Sequence, residues 1–479
     1  MSQNESGLGR RDVLKRIGLT AVVVGPGMSI LNACATSSSD KKDTPAATGV
    51  AKDPKNPFGV DAAKPLDVVI FNGGYKDLYA KLGHEPMYVK SFPGVKVNHE
   101  SVVDLTTVKP RFTSGTNLPD VVDNSGTGAM DFGSLASSGG MVDLTSFWAT
   151  PSIDDPTKTL KDMVLPGTVE SGLVNGKPYQ MNYVATTFGL WYNKKLFADN
   201  GWEVPKTADE FKALCEKIKA KGIVPFAYAG KNAAYYQYGV FMQSLAKLAG
   251  NQAVIDIDNL KEGAWSTDAV KTVITFWNEI TTKYSKPEYQ GLIHTQVQTL
   301  HKQNKIAFYP SGDWLENEMK DTKGAEGFEY AVAALPDLGG DKLPYPALRV
   351  SPGEPFFVSA KSANSNGGLE YLRLMLSKEG AQAFYKNAGS ITVVQNALEG
   401  VTLSPGGQSA SDATKAAGTN IITYFNFQGW YGDFDTALRN LTNKVSYGGG
   451  SVADFITAVQ KAADKTSKDP KVKKQNRTV

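Results

Sequence analysis

The chain has 479 residues with 41% hydrophobic and 21% charged side chains, which is ordinary globular composition. Its formal charge is only +3, so no basic surface argues for nucleic acid and no acidic block argues for a disordered tail. Two cysteines, Cys34 and Cys215, leave no room for a disulfide framework.

The amino end carries the first organised signal. Arg10-Arg11 leads into an apolar run from Ile17 to Leu31, closed by Leu31-Asn32-Ala33-Cys34. The run is shorter than the roughly 20 residues a spanning helix needs and has the order of a signal peptide. Paired arginines are the address of a twin-arginine exporter, although Val13 stands where phenylalanine is common, so the general route stays open. Small residues before Cys34 resemble the lipobox of bacterial lipoproteins. Residues 1–33 are therefore expected to be removed and Cys34 to be lipidated, placing the body at the outer face of the cell membrane. Residues 34–65 are poor in large apolar side chains and are expected to form a flexible tether.

Order is expected from Leu66. Leu66–Phe71 reads as a strand opening onto Asn72-Gly73-Gly74-Tyr75, followed by a helix near Asp77–Ser91. Val95–His99 alternates as a second strand, Thr107–Thr113 is helical, and Leu118–Asp123 is a third strand ending at Asn124-Ser125-Gly126. Strands alternating with helices indicate an open α/β sheet, where ligands sit beyond the strand carboxyl ends. That singles out Tyr75, Asp123 and Asn124, with a satisfied Asx turn as the competing role for Asp123 and Asn124. Further on, Thr207 with Glu210 is a capping box for a helix with apolar positions Phe211, Leu214, Cys215 and Ile218.

A search for catalysis finds little. His84, His99, His294 and His301 lack metal-ligand spacing, and no cysteine accompanies them. No Gly-x-Ser-x-Gly elbow, dinucleotide fingerprint or phosphate loop occurs. No cofactor or metal is expected. A carboxylate pair for glycoside hydrolysis would leave no sequence signature.

A series of motifs in order carries a family resemblance. Pro119-Asp120, Gly176-Lys177, Leu190-Trp191-Tyr192-Asn193-Lys194, Pro205-Lys206-Thr207, Lys305 to Trp314 and Pro355-Phe356-Phe357-Val358-Ser359 together resemble extracellular solute-binding proteins of carbohydrate ABC importers. Val69 to Gly74, Val122 to Gly126, Tyr228 to Lys231, Asp256 to Leu260 and Gly353 to Phe356 resemble, within them, actinobacterial carriers of N-acetylglucosamine and N,N'-diacetylchitobiose. The resemblance implies a two-lobed α/β architecture, the type II periplasmic-binding-protein fold, with a cleft between lobes joined by hinge strands. It implies a first lobe of residues 66–186 plus 312–350, a second of 187–311 plus 351–465, and a basic tail over 466–479. It also implies a sugar ligand, ABC permease subunits with a cytoplasmic ATPase as partners, and a monomeric, non-enzymatic body. A secreted glycosidase, a polysaccharide-binding lipoprotein and a carrier of another oligosaccharide are the alternatives.

A sugar offers apolar C–H faces and a rim of hydroxyls, which call for flat rings and for planar polar side chains. On that chemistry the expected sugar-binding residues are Tyr75, Asp123, Asn124, Tyr183, Tyr228, Trp314, Glu354 and Trp430. Arg111 and Lys231 are weaker candidates. Trp148, Trp191, Trp265 and Trp277 are expected to be structural.

Overall fold

The structure, a computed structural model, describes residues 50–422 and 425–478. Arg10, Cys34 and the whole proposed signal lie outside the described residues. No helix among those described is long and apolar enough to cross a membrane.

The strands are β1 (Leu66–Phe71), β2 (Val97–Val102), β3 (Val121–Asp123), a small hairpin of β4 (Leu173–Val174) and β5 (Lys177–Pro178), β6 (Met181–Asn193), β7 (Val224–Phe226), β8 (Ile306–Ser311), β9 (Tyr330–Ala333), β10 (Leu348–Val358) and β11 (Ile421–Ile422). Apart from the hairpin they form one sheet in the order β2-β1-β3-β10-β6-β8-β7, with β9 beside β6 and β11 beside β10. β1 is parallel to β2 and β3, the α/β pattern expected of the first strands.

β6 and β10 organise the molecule. β6 is 13 residues long and buried along nearly all of it. Its β-branched and aromatic residues suit a strand covered on both faces. Met181–Phe188 of β6 pairs antiparallel with β10, while Gly189–Asn193 pairs with β8 and β9. β10 continues past β6 to pair with β3. Each strand thus starts in one lobe and ends in the other. Gly189 sits where a side chain would strike the Ala333 carbonyl, so only glycine admits β9 at that point.

Two hydrophobic cores define the lobes. One gathers Leu66, Val68 and Ile70 of β1 with Tyr183, Phe356, Tyr371, Leu372, Phe384 and Val393. The other gathers Trp191, Phe211, Trp277, Phe308, Leu315, Val332 and Phe434, and also takes Val69 and Val122 from the other face of the first sheet. Phe356, Tyr371, Phe384 and Val393 pack in the first of these cores, and Leu315, Tyr330 and Val332 in the second. β10 leaves β6 to join β3 and carries the helices Ser365–Met375 and Lys378–Ala388 with it.

Both ends of the body are more ordered than expected. Phe58 and Val60 are buried in the first core, and the Phe58 ring stacks on Phe147 with centroids 6.0 Å apart, so the tether expected over 34–65 does not run free to 65. The tail expected over 466–479 is anchored: Arg477 Nη1 lies 2.6 Å from Asp258 Oδ2, with both side chains buried. Asp258 Oδ1 meanwhile accepts the Asn426 and Phe427 amides. The Thr207–Glu210 capping box forms as its spacing indicates, and Trp148, Trp191, Trp265 and Trp277 are all buried.

Candidate functional site

The loop after β8 builds the centre of the site. Gly312-Asp313-Trp314 turns sharply, and the indole lies directly over Gly312, where any Cβ would overlap the ring. From the first lobe, Gly74 approaches the same indole, and its carbonyl accepts from Asn317 Nδ2 at 3.0 Å. Trp314 is thereby held between lobes. Its ring meets Tyr75 edge-on at 6.3 Å and Phe188 edge-on at 5.5 Å, and its Nε1 donates to Tyr236 Oη at 3.2 Å.

Three carboxyl groups converge beside this aromatic cluster. Asp313 Oδ1 accepts from Tyr75 Oη at 3.1 Å, and Tyr75 Oη also lies 3.4 Å from Thr186 Oγ1 on β6. Asp123, at the end of β3, accepts from Tyr79 Oη at 3.0 Å and from the Ser125 hydroxyl. Glu354 lies in β10 between Gly353 and Pro355 with φ +50°, a left-handed conformation unusual for a side-chain-bearing residue, and it shares a proton-linked contact with Asp123.

Burial disfavours charge on all three. It pushes Asp313 up to about 7, against the Tyr75 hydrogen bond. It pushes Asp123 up to about 6, against hydrogen bonds from Ser125, Glu354 and Tyr79. Glu354 is raised further, first by burial and then by the neighbouring Asp123 charge. No lysine or arginine pairs with any of the three among the described residues. The buried Ser390 hydroxyl lies close to Asp313 and Tyr75 but completes no hydrogen bond. Hydroxyl groups arriving on a ring-shaped solute would add donors to such a cluster of carboxyls, while the indole and phenol rings cover its apolar faces.

Tyr75, Asp123, Trp314 and Glu354 are thus brought together. Four other expected residues are placed elsewhere. Asn124 spends its amide on its own loop, accepting from the Met130 amide and donating to the Met130 carbonyl, the Asx role that competed with ligand contact. Tyr183 is fully buried in the first core, where it donates to the Met375 carbonyl. Tyr228 is fully buried in the second lobe, stacked on Tyr447 and donating to Asn443 Oδ1. Trp430 is buried in the short helix Phe427–Trp430, and Phe132 packs against the neighbouring Gly429 within the same core. Arg111 pairs bidentately with Glu100 at 2.7 Å. Asp313, Thr186, Tyr236 and Ser390 complete the cluster without having been singled out. Asp313 could have been: it stands inside the Gly-Asp-Trp loop chosen for its tryptophan.

On the second-lobe side, Arg349 of β10 is clamped between the rings of Phe188 and Phe425, 3.9 and 4.5 Å from their centroids. Burial pulls its guanidinium down to about 9, which leaves it cationic at neutral pH.

Residues 72–382 match the family profile described as bacterial extracellular solute-binding protein. The chain is 32% identical over 478 residues to the diacetylchitobiose binding protein NgcE of Streptomyces coelicolor, covering 99% of each. A solved chitin oligosaccharide binding protein superposes with a TM-score of 0.67 at 19% identity, over 83% of this chain and 98% of that one. The solute-binding protein RafE, from Streptococcus pneumoniae, in complex with raffinose superposes with a TM-score of 0.64 at 21% identity, over 84% and 99%. These two likenesses agree with a periplasmic-binding-protein fold. The chain belongs to the bacterial extracellular solute-binding protein family, and within it is a non-enzymatic binding protein, the sugar-binding component of an ABC importer.

Proposed function

We propose that this protein captures N-acetylglucosamine, N,N'-diacetylchitobiose or both in the cleft around Trp314 and delivers the sugar to its permease. The observation that carries the choice of sugar is the end-to-end likeness to the diacetylchitobiose binding protein. The Trp314–Tyr75 rings and the carboxyls Asp123, Asp313 and Glu354 supply matching chemistry. β6 and β10 serve as the hinge, and the sugar favours the closed arrangement; the event is a population shift rather than a reaction. A lipid on Cys34 holds the body at the outer face of the membrane. With Phe58 packed into the core, the tether proposed from composition ends before that residue. That tether raises the local concentration of receptor at the permease subunits and their cytoplasmic ATPase.

Calorimetric titration with N-acetylglucosamine, diacetylchitobiose, maltose, cellobiose, xylobiose and raffinose tests the reading. Saturable binding is expected with the N-acetylated sugars. Binding confined to the others would refute it.

A further inference from the structure

Beside Trp314, on the second-lobe side, a small chamber is lined by Phe188, Tyr236, Gln243, Pro310, Ser311 and Arg349. Its free space is about 20 Å³ in a recess that is partly open rather than sealed, far too little for a sugar ring. The chamber therefore suits a substituent. Two of its walls belong to the hinge, since Arg349 of β10 is the register partner of Phe188 of β6.

Two buried polar atoms at this chamber lack partners, and a half-buried guanidinium stands beside them. Gln243 and Ser311 are each 4% exposed, and Gln243 Oε1 and Ser311 Oγ make no hydrogen bond. The Arg349 guanidinium uses only Nε, donating to Ser351 Oγ at 3.2 Å, and among the described residues no carboxylate pairs with it. Its flat faces are already taken by Phe188 and Phe425, so only the edge bearing Nη1 and Nη2 can meet a ligand. Buried polar groups ordinarily find partners. Two in one place, beside a guanidinium and on the wall of a solute cleft, point to an arriving group.

The chemistry of the set narrows that group. The guanidinium donates only, so it needs an oxygen acceptor. Gln243 Oε1 accepts only, so it needs a donor. A carboxylate would satisfy Arg349 but set its charge against Gln243 Oε1. A hydroxyl presents a single oxygen to both. An acylamino group offers a carbonyl oxygen to the guanidinium and an N–H to Gln243, with its methyl against Phe188 and Pro310. We propose that the chamber is the subsite that reads the acylamino substituent of the solute, with Arg349 and Gln243 as its specificity-determining residues and Ser311 as a further hydrogen-bonding group. This rests on the reading of the solute as an N-acetylated sugar.

The test is calorimetric titration of the wild-type protein and of Gln243→Leu, Arg349→Lys and Ser311→Ala with diacetylchitobiose, its fully de-N-acetylated counterpart and cellobiose. Each variant is first checked for a cooperative thermal transition. The wild type is expected to prefer diacetylchitobiose. Gln243→Leu and Arg349→Lys are each expected to weaken that sugar about tenfold, the loss of one hydrogen bond to a buried group, and to leave binding of the two sugars lacking the acetyl group unchanged. If one of the pair does not fold, the other with Ser311→Ala decides. A wild type that binds diacetylchitobiose while the folded variants keep its full affinity overturns the subsite alone; the chamber then holds only water. A wild type that binds no N-acetylated sugar overturns both the subsite and the sugar assignment.

Discussion

Asp313 gives the sharpest quantitative expectation. Its carboxyl is 7% exposed and is pushed up to about 7 from an ordinary 3.8. At about 1.4 kcal/mol per tenfold change in proton affinity, keeping it ionised in the empty cleft costs roughly 4 kcal/mol. The unfolded chain releases this proton near pH 3.8, whereas the folded protein holds it until about pH 7. Between those values the folded state binds more protons, so stability falls as pH rises, and above pH 7 the full cost is present. Asp313→Asn removes the charge and keeps an oxygen to accept from Tyr75 Oη. The variant is expected to be more stable than wild type by about 2–4 kcal/mol at pH 8, an upper range because Asp123 and Glu354 share the same field. At pH 4 the two should be nearly equal. Urea unfolding of ligand-free protein at both pH values measures the difference. An equal gap at both values, or a variant less stable at pH 8, would refute the reasoning. Sugar binding should move the opposite way: an ionised Asp313 is the better acceptor for hydroxyls, so wild-type affinity should rise from pH 5 to pH 8.

Two further predictions follow from other contacts. Trp314→Ala removes the ring that meets Tyr75, Phe188 and Tyr236; it should weaken sugar binding up to about tenfold, the upper end of the ~0.5–1.5 kcal/mol of a ring contact, with the thermal transition retained, and unchanged affinity by calorimetry would remove the indole from the site. Arg477→Ala leaves buried Asp258 without its cation and should cost about 3–5 kcal/mol in urea unfolding, whereas a free, solvated tail would give no change.

Local features were legible wherever neighbours in sequence are neighbours in space. The capping box at Thr207 and Glu210 and the strand after Pro65 are of this kind. So is the Asx loop at Asn124, where short-range hydrogen bonds to Met130 took the side chain that ligand contact would have used. Tyr183 and Tyr228 went the other way for a different reason. A tyrosine beside a strand end looks alike whether its hydroxyl faces a cleft or a core, and only partners such as the Met375 carbonyl and Asn443, 192 and 215 residues away, decide.

By itself the amino-acid sequence determined the alternation of strands and helices, the absence of a disulfide framework, and the motif order that marks the family, because these depend on residue type and spacing along the chain. Tertiary structure alone decided which segments share a lobe, since that follows from β10 pairing with both β6 and β3. It also decided that Tyr75 and Asp313, 238 residues apart, share a hydrogen bond, and that Gln243, Ser311 and Arg349 surround one chamber. Burial and charge proximity act through space, and they turned scattered carboxyls into a cluster that resists ionisation.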